Sequence, residues 1–303
     1  MKKVLVIAGP TAVGKSDFAV RLAEKFHLEI ISGESIQVYR GLDIGSGKIR
    51  KEEMRGIVHH LIDILPPTAS YSAADFQSMA RDIIDHSDKG VIICGGTGLY
   101  LKACLYDYSF NQEEDEPSCD PTLEQYTNQQ LYEMLQQSDP IQAQKIHVNN
   151  RRRLLRSLTI QMRSGKPQSQ LEKEQSHQMI YDTKIIGCTM ERSALYERIN
   201  RRVEMMYENG LKDEVDGRLK QGVTIEHQSM QGIGYKEWKP YFDGEVQERS
   251  VIEEIQKHSR QFAKRQYTWL NHQMPAEWCD MSDDHMISET IARIEHWYTK
   301  QAK

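Results

Sequence analysis

The sequence predicts an α/β protein, a parallel sheet flanked by helices, with an all-helical domain inserted between two sheet strands. Three observations carry this. Short apolar runs (Val4 to Ala8, Leu28 to Ser32, Gly90 to Cys94) alternate with segments of helical period through the first third. That alternation stops near Glu114, and the next strand-like run is Lys184 to Cys188. Directly behind the first run lies Gly9-Pro10-Thr11-Ala12-Val13-Gly14-Lys15-Ser16, which fits G-x-x-x-x-G-K-[ST] without a mismatch. The motif makes the fold P-loop NTPase-like.

Each element has a local reason. After the motif, Ala19, Leu22, Ala23 and Phe26 recur at i, i+3, i+4 and i+7, so the strand-loop-helix context of a phosphate cradle is met. The second strand ends at Gly33-Glu34-Ser35, and binding groups of open parallel sheets collect at such carboxyl ends. Gly41 to Lys48 is loop by its glycines. Ser72 caps a helix over Ala73 to His86. The third strand ends in Gly95-Gly96-Thr97-Gly98, where many P-loop ATPases place a Mg²⁺-binding aspartate.

Downstream, Asp139-Pro140 reads as an N-cap with proline behind it. Asn150 caps a helix to about Met162, with Leu155, Leu158 and Met162 on its buried stripe and Arg152 and Arg156 on another face. Two further helices, Leu195 to Asn209 and Leu211 to Lys220, end at Gly210 and Gly222. Gln231 to Tyr235 is a glycine-rich connector. Val251 to Leu270 is a long helix with Val251, Ile255, Phe262 and Trp269 inward, and Lys257, Arg260 and Lys264 on a different face. The expected domains are 1–114 with 184–303, a catalytic core, and 115–183, a helical insertion.

The 303 residues, 39% apolar and 27% charged, have the composition of a soluble globular protein. No apolar stretch approaches the ~20 residues that span a bilayer, so a cytoplasmic enzyme without a membrane partner is expected. Five scattered cysteines with no C-x-x-C pair indicate neither a disulfide framework nor a zinc site. Net charge is −5, yet Ile141 to Gln170 contains no acid and 7 basic residues, and Ile255 to His272 is also acid-free with Lys257, Arg260, Lys264 and Arg265. Two basic tracts in an acidic chain point to localised polyanion binding. The acidic run Glu113 to Glu116, before Pro117, reads as a solvated loop or boundary.

The cradle holds a di- or triphosphate with Lys15 on its charge and the Ser16 hydroxyl toward Mg²⁺. It leaves two enzyme readings open. One is a kinase with ATP in the loop and Glu34 activating an acceptor. The other is a transferase whose donor is itself a diphosphate, with pyrophosphate leaving. Fold alone does not separate them.

Nine blocks, in order, resemble the bacterial tRNA dimethylallyltransferases over essentially the full length. They are GPTAVGKS (9–16), ISGESIQVYRGLDIGSGK (31–48), HHLIDI (59–64), YSAADF (71–76), GGTGLYLKA (95–103), NRRRLLRSL (150–158), RINRRVEMM (198–206), QGIGYKE (231–237) and RQFAKRQYTWL (260–270). The resemblance implies transfer of a dimethylallyl group from dimethylallyl diphosphate to N6 of the adenosine at position 37 of a tRNA, with Mg²⁺, by a monomer.

Residue by residue, it implies that Gly9 to Ser16 hold the donor diphosphate and that Thr11 lies against donor and amine. Arg202 is the implied diphosphate ligand, with Arg198 its competitor. Glu34, in Glu34-Ser35-Ile36-Gln37, takes the amine proton. Ser35, Ile36, Gln37, Thr97, Gln231, Gly232 and Tyr235 are implied in tRNA contact. So are Asn150, Arg151, Arg152, Arg153 and Arg156 on the insertion, and Lys264, Arg265, Gln266 and Trp269 on the long helix. The sequence departs from the family pattern at Glu34, where Asp is usual, one methylene shorter; Asp43 is the nearest acid that could assist. Gly45-Ser46-Gly47-Lys48 stands for the usual G-T-A-K and keeps the hydroxyl.

Overall fold

The computed structural model describes residues 1–108, 110, 120–174 and 178–300. The expected acidic boundary Glu113 to Glu116, with Pro117 and Cys119, lies outside them. In chain order the elements begin β1 (Lys3–Ala8), α1 (Lys15–Phe26), β2 (Glu29–Ser32), β3 (His59–His60), α2 (Ala73–His86), β4 (Val91–Gly95) and α3 (Gly98–Leu105). They continue α4 (Asn128–Ser138), α5 (Pro140–Lys145), α6 (Arg151–Ser164), α7 (Gln168–Glu174) and β5 (Asp182–Thr189). The last are α8 (Arg192–Glu208), α9 (Leu211–Lys220), α10 (Lys239–Phe242), α11 (Glu248–Gln273), β6 (Glu277–Asp280) and α12 (Asp284–Thr299).

The six strands form one parallel sheet in the order β3-β2-β4-β1-β5-β6. Val4 to Ala8 of the interior strand β1 are all buried. Such a continuous apolar run is what a parallel strand with both faces covered requires. Helix α1 packs Phe18, Ala19, Leu22 and Ala23 into the core beneath it.

The chain divides into two compact units. One comprises Met1–Leu105 with Met179–Lys303 and contains the sheet; the other is Tyr106–Gln178. At the junction the departing and returning chain segments are hydrogen-bonded neighbours: the Ile180 N–H donates to the Leu105 carbonyl at 3.0 Å, and the Asp107 N–H to the Gln178 carbonyl at 2.9 Å.

The helical unit has its own core of Leu123, Leu131, Leu135, Ala143, Leu154, Leu155 and Leu158. Met162, expected on that stripe, is 53% exposed, because it lies at the end of α6, one turn beyond Leu158, the last buried leucine. Asn150 caps α6 by accepting the Arg153 N–H, and Gly165 closes it in the left-handed conformation. Asp139 is buried and serves two helices, accepting the Gln142 N–H of α5 at 3.0 Å and the Ser169 N–H of α7 at 2.8 Å. Burial favours its neutral form, but the bonds from Ser169 and Gln142 and the Lys145 charge together hold the carboxyl below its ordinary value. A depressed folded pKa stabilises above the ordinary carboxyl value of about 4 and is lost as pH falls through the folded value. Asp139→Ala is expected to destabilise this unit by about 2 kcal/mol at pH 7, one cap plus one buried bond. Amide exchange across α4 to α7 should then quicken about 30-fold, with the gap from wild type closing as the pH drops below about 4.

In the sheet-containing unit α9 ends in a Schellman motif, with the Gly222 and Val223 N–H groups donating to Leu219 and Arg218. The inward face of α11 is Val251, Ile252, Ile255, Ala263, Gln266 and Leu270; Phe262 and Trp269, expected inward, are half-buried.

Candidate functional site

The carboxyl ends of β1, β2 and β4 converge, and glycine makes the convergence possible. A side chain at Gly9 would place its Cβ 2.6 Å from the Cys188 carbonyl, and one at Gly95 would sit 2.4 Å from the Gly33 backbone. Only hydrogen fits at these positions. Gly14, with φ +104°, opens α1, and Ala12 holds φ +64° inside the loop. Positive φ in a non-glycine residue is backbone strain of the kind that collects at binding sites.

Lys15 is 8% exposed and curls back so that Nζ donates to the Pro10 carbonyl at 2.9 Å. The same ammonium lies 3.7 Å from Glu34 Oε1. Oε1 also accepts the Gly96 N–H at 2.9 Å, while Oε2 accepts no bond among the described residues. The carboxylate is therefore oriented by one oxygen and open at the other. Cys94 occupies the end of β4 beside Lys15, Glu34 and the Ser16 hydroxyl, and burial pushes its thiol up to about 12. It stays protonated and brings no negative charge to the cradle.

A family model described as IPP transferase matches residues 37–273. The tRNA dimethylallyltransferase of Anoxybacillus flavithermus is 47% identical over 302 residues, covering 98% of this chain and 96% of that protein. The chain belongs to the tRNA dimethylallyltransferase family. Two solved structures agree in fold. A tRNA delta(2)-isopentenylpyrophosphate transferase from Staphylococcus epidermidis has 41% identity and a TM-score of 0.72, with coverage of 98% of this chain and 99% of that one. A eukaryotic dimethylallyltransferase acting on tRNA has 29% identity and a TM-score of 0.82, with coverage of 98% and 78%.

In this prenyltransferase a second layer holds the loop from Gly41 to Lys48 around the cradle. The Glu214 carboxylate of α9 accepts the N–H groups of Asp43, Ile44 and Gly45 at 2.8, 2.8 and 3.1 Å. The Tyr235 hydroxyl donates to Glu214 at 2.8 Å and accepts the Ser46 N–H at 3.0 Å. Tyr235 is fully buried, so its hydroxyl serves the loop rather than an external ligand. Lys48 bridges Asp43, Asp63 and the Tyr39 carbonyl. That ion pair engages Asp43, the acid expected to assist Glu34, with a lysine.

Arg202 of α8 lies over Gly47, donating to its carbonyl at 3.2 Å; a Cβ there would overlap the guanidinium. Burial lowers the Arg202 pKa, while the charges of Glu34 and Glu53 raise it, so Arg202 faces the base candidate electrostatically. Its competitor Arg198 is exposed, with its guanidinium 3.9 Å from where a Gly14 Cβ would stand. The two arginines, one turn apart on α8, thus stand beside Gly14 of the phosphate loop (Arg198) and Gly47 of the following loop (Arg202).

Of the residues expected to contact tRNA, Ser35, Ile36, Gln37, Thr97 and Gly232 are half-buried. Gln37 is fixed by Ser32 and the Gly47 carbonyl, and Thr97 by the Gly33 carbonyl. Gln231 is exposed and donates to the Ile225 carbonyl. Lys264 and Arg265 are exposed and share an open groove along α11 with Trp269. Gln266 is 5% exposed and bonded on both sides of its amide, unlike its neighbours. In the helical unit Asn150, Arg152, Arg153 and Arg156 are exposed, whereas Arg151 is drawn inward to the Tyr126 and Glu124 carbonyls and the Glu124 carboxylate. Glu214 and Lys48 were not singled out in the sequence. A half-buried loop whose N–H groups lack partners of their own calls for an acceptor, but its place in the chain cannot be read from spacing.

Proposed function

We propose that this chain is a tRNA dimethylallyltransferase that prenylates N6 of the adenosine at position 37 next to the anticodon. The P-loop holds the diphosphate of dimethylallyl diphosphate, and Glu34 is the base. The observation carrying this reading is the Glu34 carboxylate, pinned at Oε1 by Gly96 and Lys15 with Oε2 open at the mouth of a phosphate cradle.

The N–H groups at the head of α1 and the Lys15 ammonium receive the diphosphate and stabilise the charge that grows as it leaves. The C1–O bond of the donor breaks with its electron pair going to pyrophosphate. The N6 lone pair forms the new C1–N bond, and the N6 proton passes to Glu34 Oε2. Arg202 and Arg198 flank the leaving group, and Thr11 lies at the donor side of the loop. The longer Glu side chain, where the family uses Asp, is accommodated by anchoring the carboxylate on the Gly96 N–H.

The donor set fits Mg²⁺ carried by the diphosphate rather than caged by protein. Ser16 offers a hydroxyl, Cys94 a protonated thiol instead of an acid, and no cluster of three or more metal-ligating side chains exists among the described residues. Ser16 would be the protein ligand, and bound there the ion supplies further neutralisation of diphosphate charge.

The tRNA is read by two basic surfaces, Arg152, Arg153 and Arg156 on α6 and Lys264, Arg265 and Trp269 on α11. The target base leaves the loop stack to reach N6 to the donor, where Ser35, Ile36 and Gln37 line the approach. Arg152→Ala is expected to weaken tRNA binding and to reduce the slope of log affinity against log salt by about 0.7 to 0.9, one phosphate contact; filter binding across a salt series checks it. No helix among the described residues is long and apolar enough to cross a membrane; a cytoplasmic, monomeric enzyme is part of the same proposal.

The decisive experiment incubates the protein with unmodified tRNA and labelled dimethylallyl diphosphate, then digests the RNA. Label recovered as N6-dimethylallyl adenosine supports the reading. Its absence, with ATP consumed instead, overturns it.

A further inference from the structure

Gln266 stands apart from the basic residues around it. On α11 its neighbours Lys264 and Arg265 are exposed, whereas Gln266 turns into the protein beneath the cradle. Its Oε1 accepts the Thr11 N–H at 3.0 Å and its Nε2 donates to the Gly96 carbonyl at 3.1 Å. The N–H of that same Gly96 residue orients Glu34. A side chain on Gly96 would collide with the Gln266 amide, its Cβ only 2.0 Å from Nε2. One carboxamide therefore ties the phosphate loop to the segment that aims the carboxylate.

We infer that Gln266 is a positioning residue, which fixes the donor cradle and the Glu34 carboxylate in register with each other and takes no part in tRNA binding. The inference rests on the proposed roles of the P-loop and Glu34. It follows from donor and acceptor inventory: a carboxamide offers an acceptor and a donor in one plane, and both are used here inside the protein. The Thr11 N–H is likewise spent on Gln266, so the amides left to the diphosphate begin at Ala12. No other uncharged side chain of the same length supplies the same planar pair; asparagine carries it one methylene short. Leucine and alanine leave both the Thr11 N–H and the Gly96 carbonyl unpaired, and glutamate keeps the acceptor but sets a negative charge against a carbonyl.

That last property gives a test which a merely structural role would not pass. A carboxylate at 266 cannot donate to Gly96, whereas its protonated form can donate and accept as the amide does. Burial beside a carbonyl raises the pKa of such a carboxyl. The rate of Gln266→Glu, divided by the wild-type rate at the same pH, should therefore rise several-fold between pH 8 and pH 6. Gln266→Ala should lower single-turnover prenyl transfer on the order of 10²-fold, as expected for a displaced reacting group, with tRNA affinity within about twofold of wild type.

The expected result is a loss in the chemical step, intact tRNA binding, and recovery of the Glu variant at low pH. A pH-independent ratio overturns the inference. So does weakened tRNA binding with the chemical step intact, which would return Gln266 to the RNA surface. Should Gln266→Ala fail to fold, the nearly isosteric Gln266→Glu carries the test alone. Failure of the base assignment is separable, because it would appear as full activity in Glu34→Gln with the Gln266 ratio still pH-dependent through the phosphate loop.

Discussion

Glu34→Gln is expected to slow single-turnover prenyl transfer by about 10³-fold, in the middle of the range for loss of a general base, while dimethylallyl diphosphate affinity changes by less than about twofold. The substitution keeps the length of the side chain and an oxygen for the Gly96 N–H, so the anchor at 2.9 Å can persist. What disappears is the basic oxygen at the open side of the carboxylate. An aryl amine gains acidity only as its bond to carbon forms, so the loss falls on the chemical step. Donor binding, which uses α1 and Lys15, is largely spared. Rapid-quench measurement at saturating tRNA and donor reads the step directly. A variant that keeps the wild-type rate with unchanged donor affinity rules out Glu34 as the base.

Lys15→Met should cost more at the donor than Glu34→Gln does. Kcat/KM for dimethylallyl diphosphate is expected to fall by about 10³-fold, with KM and kcat both affected. Methionine retains the apolar stem that packs into the core but removes the ammonium, and with it the group that meets both the ground-state diphosphate and the charge added on departure. Two further losses follow from the geometry. The Pro10 carbonyl loses its donor at 2.9 Å, and Glu34 loses the cation 3.7 Å away. A steady-state series in donor concentration separates the two parts. If only KM rises, Lys15 binds the donor without favouring its departure.

Much of the core was legible because its signals are local. The P-loop sits between an apolar run and a helical period. Ser72, Asp139 and Asn150 cap helices at the positions their chemistry predicts, and Gly210 and Gly222 follow α8 and α9 as helix-terminating glycines. The misses share a different cause. His59–His60 is too short for any periodicity to show. Glu277–Asp280 has polar residues at both ends and is a strand only because β5 offers it an edge, with α12 following. Along α11 the expected inward residues Phe262 and Trp269 are half-buried while Ala263 enters the hydrophobic core and the polar Gln266 is buried, because Gln266 meets the backbone at Gly96 and Thr11 and Trp269 covers Gly98 from the side of the helix.

The candidate site divides in the same way. Residues that carry charge or hydroxyls in a motif, such as Lys15, Ser16 and Glu34, announce themselves in the chain. The side chains that hold those residues in place do not. Glu214 reaches its loop across more than 150 residues of sequence, and its partners are N–H groups that every residue but proline possesses. Tyr235 and Gln266, grouped with the RNA contacts by their place in recognisable blocks, spend their polar atoms on the protein's own groups, Tyr235 on Glu214 and the Ser46 N–H, Gln266 on the backbone of Thr11 and Gly96.

The junction of the two units has an implication for how such a chain arises and folds. Because Leu105 and Ile180 are hydrogen-bonded neighbours, a tight turn could close the sheet-containing unit there without moving either end. The helical unit is topologically a very long hairpin loop. Loop-closure entropy grows only logarithmically, by about 0.6 kcal/mol for each doubling of length, so lengthening that turn into a self-folding module burdens the core very little. The sheet can assemble around its cradle while the module condenses on its own leucine core, and the two can diverge in sequence at separate rates.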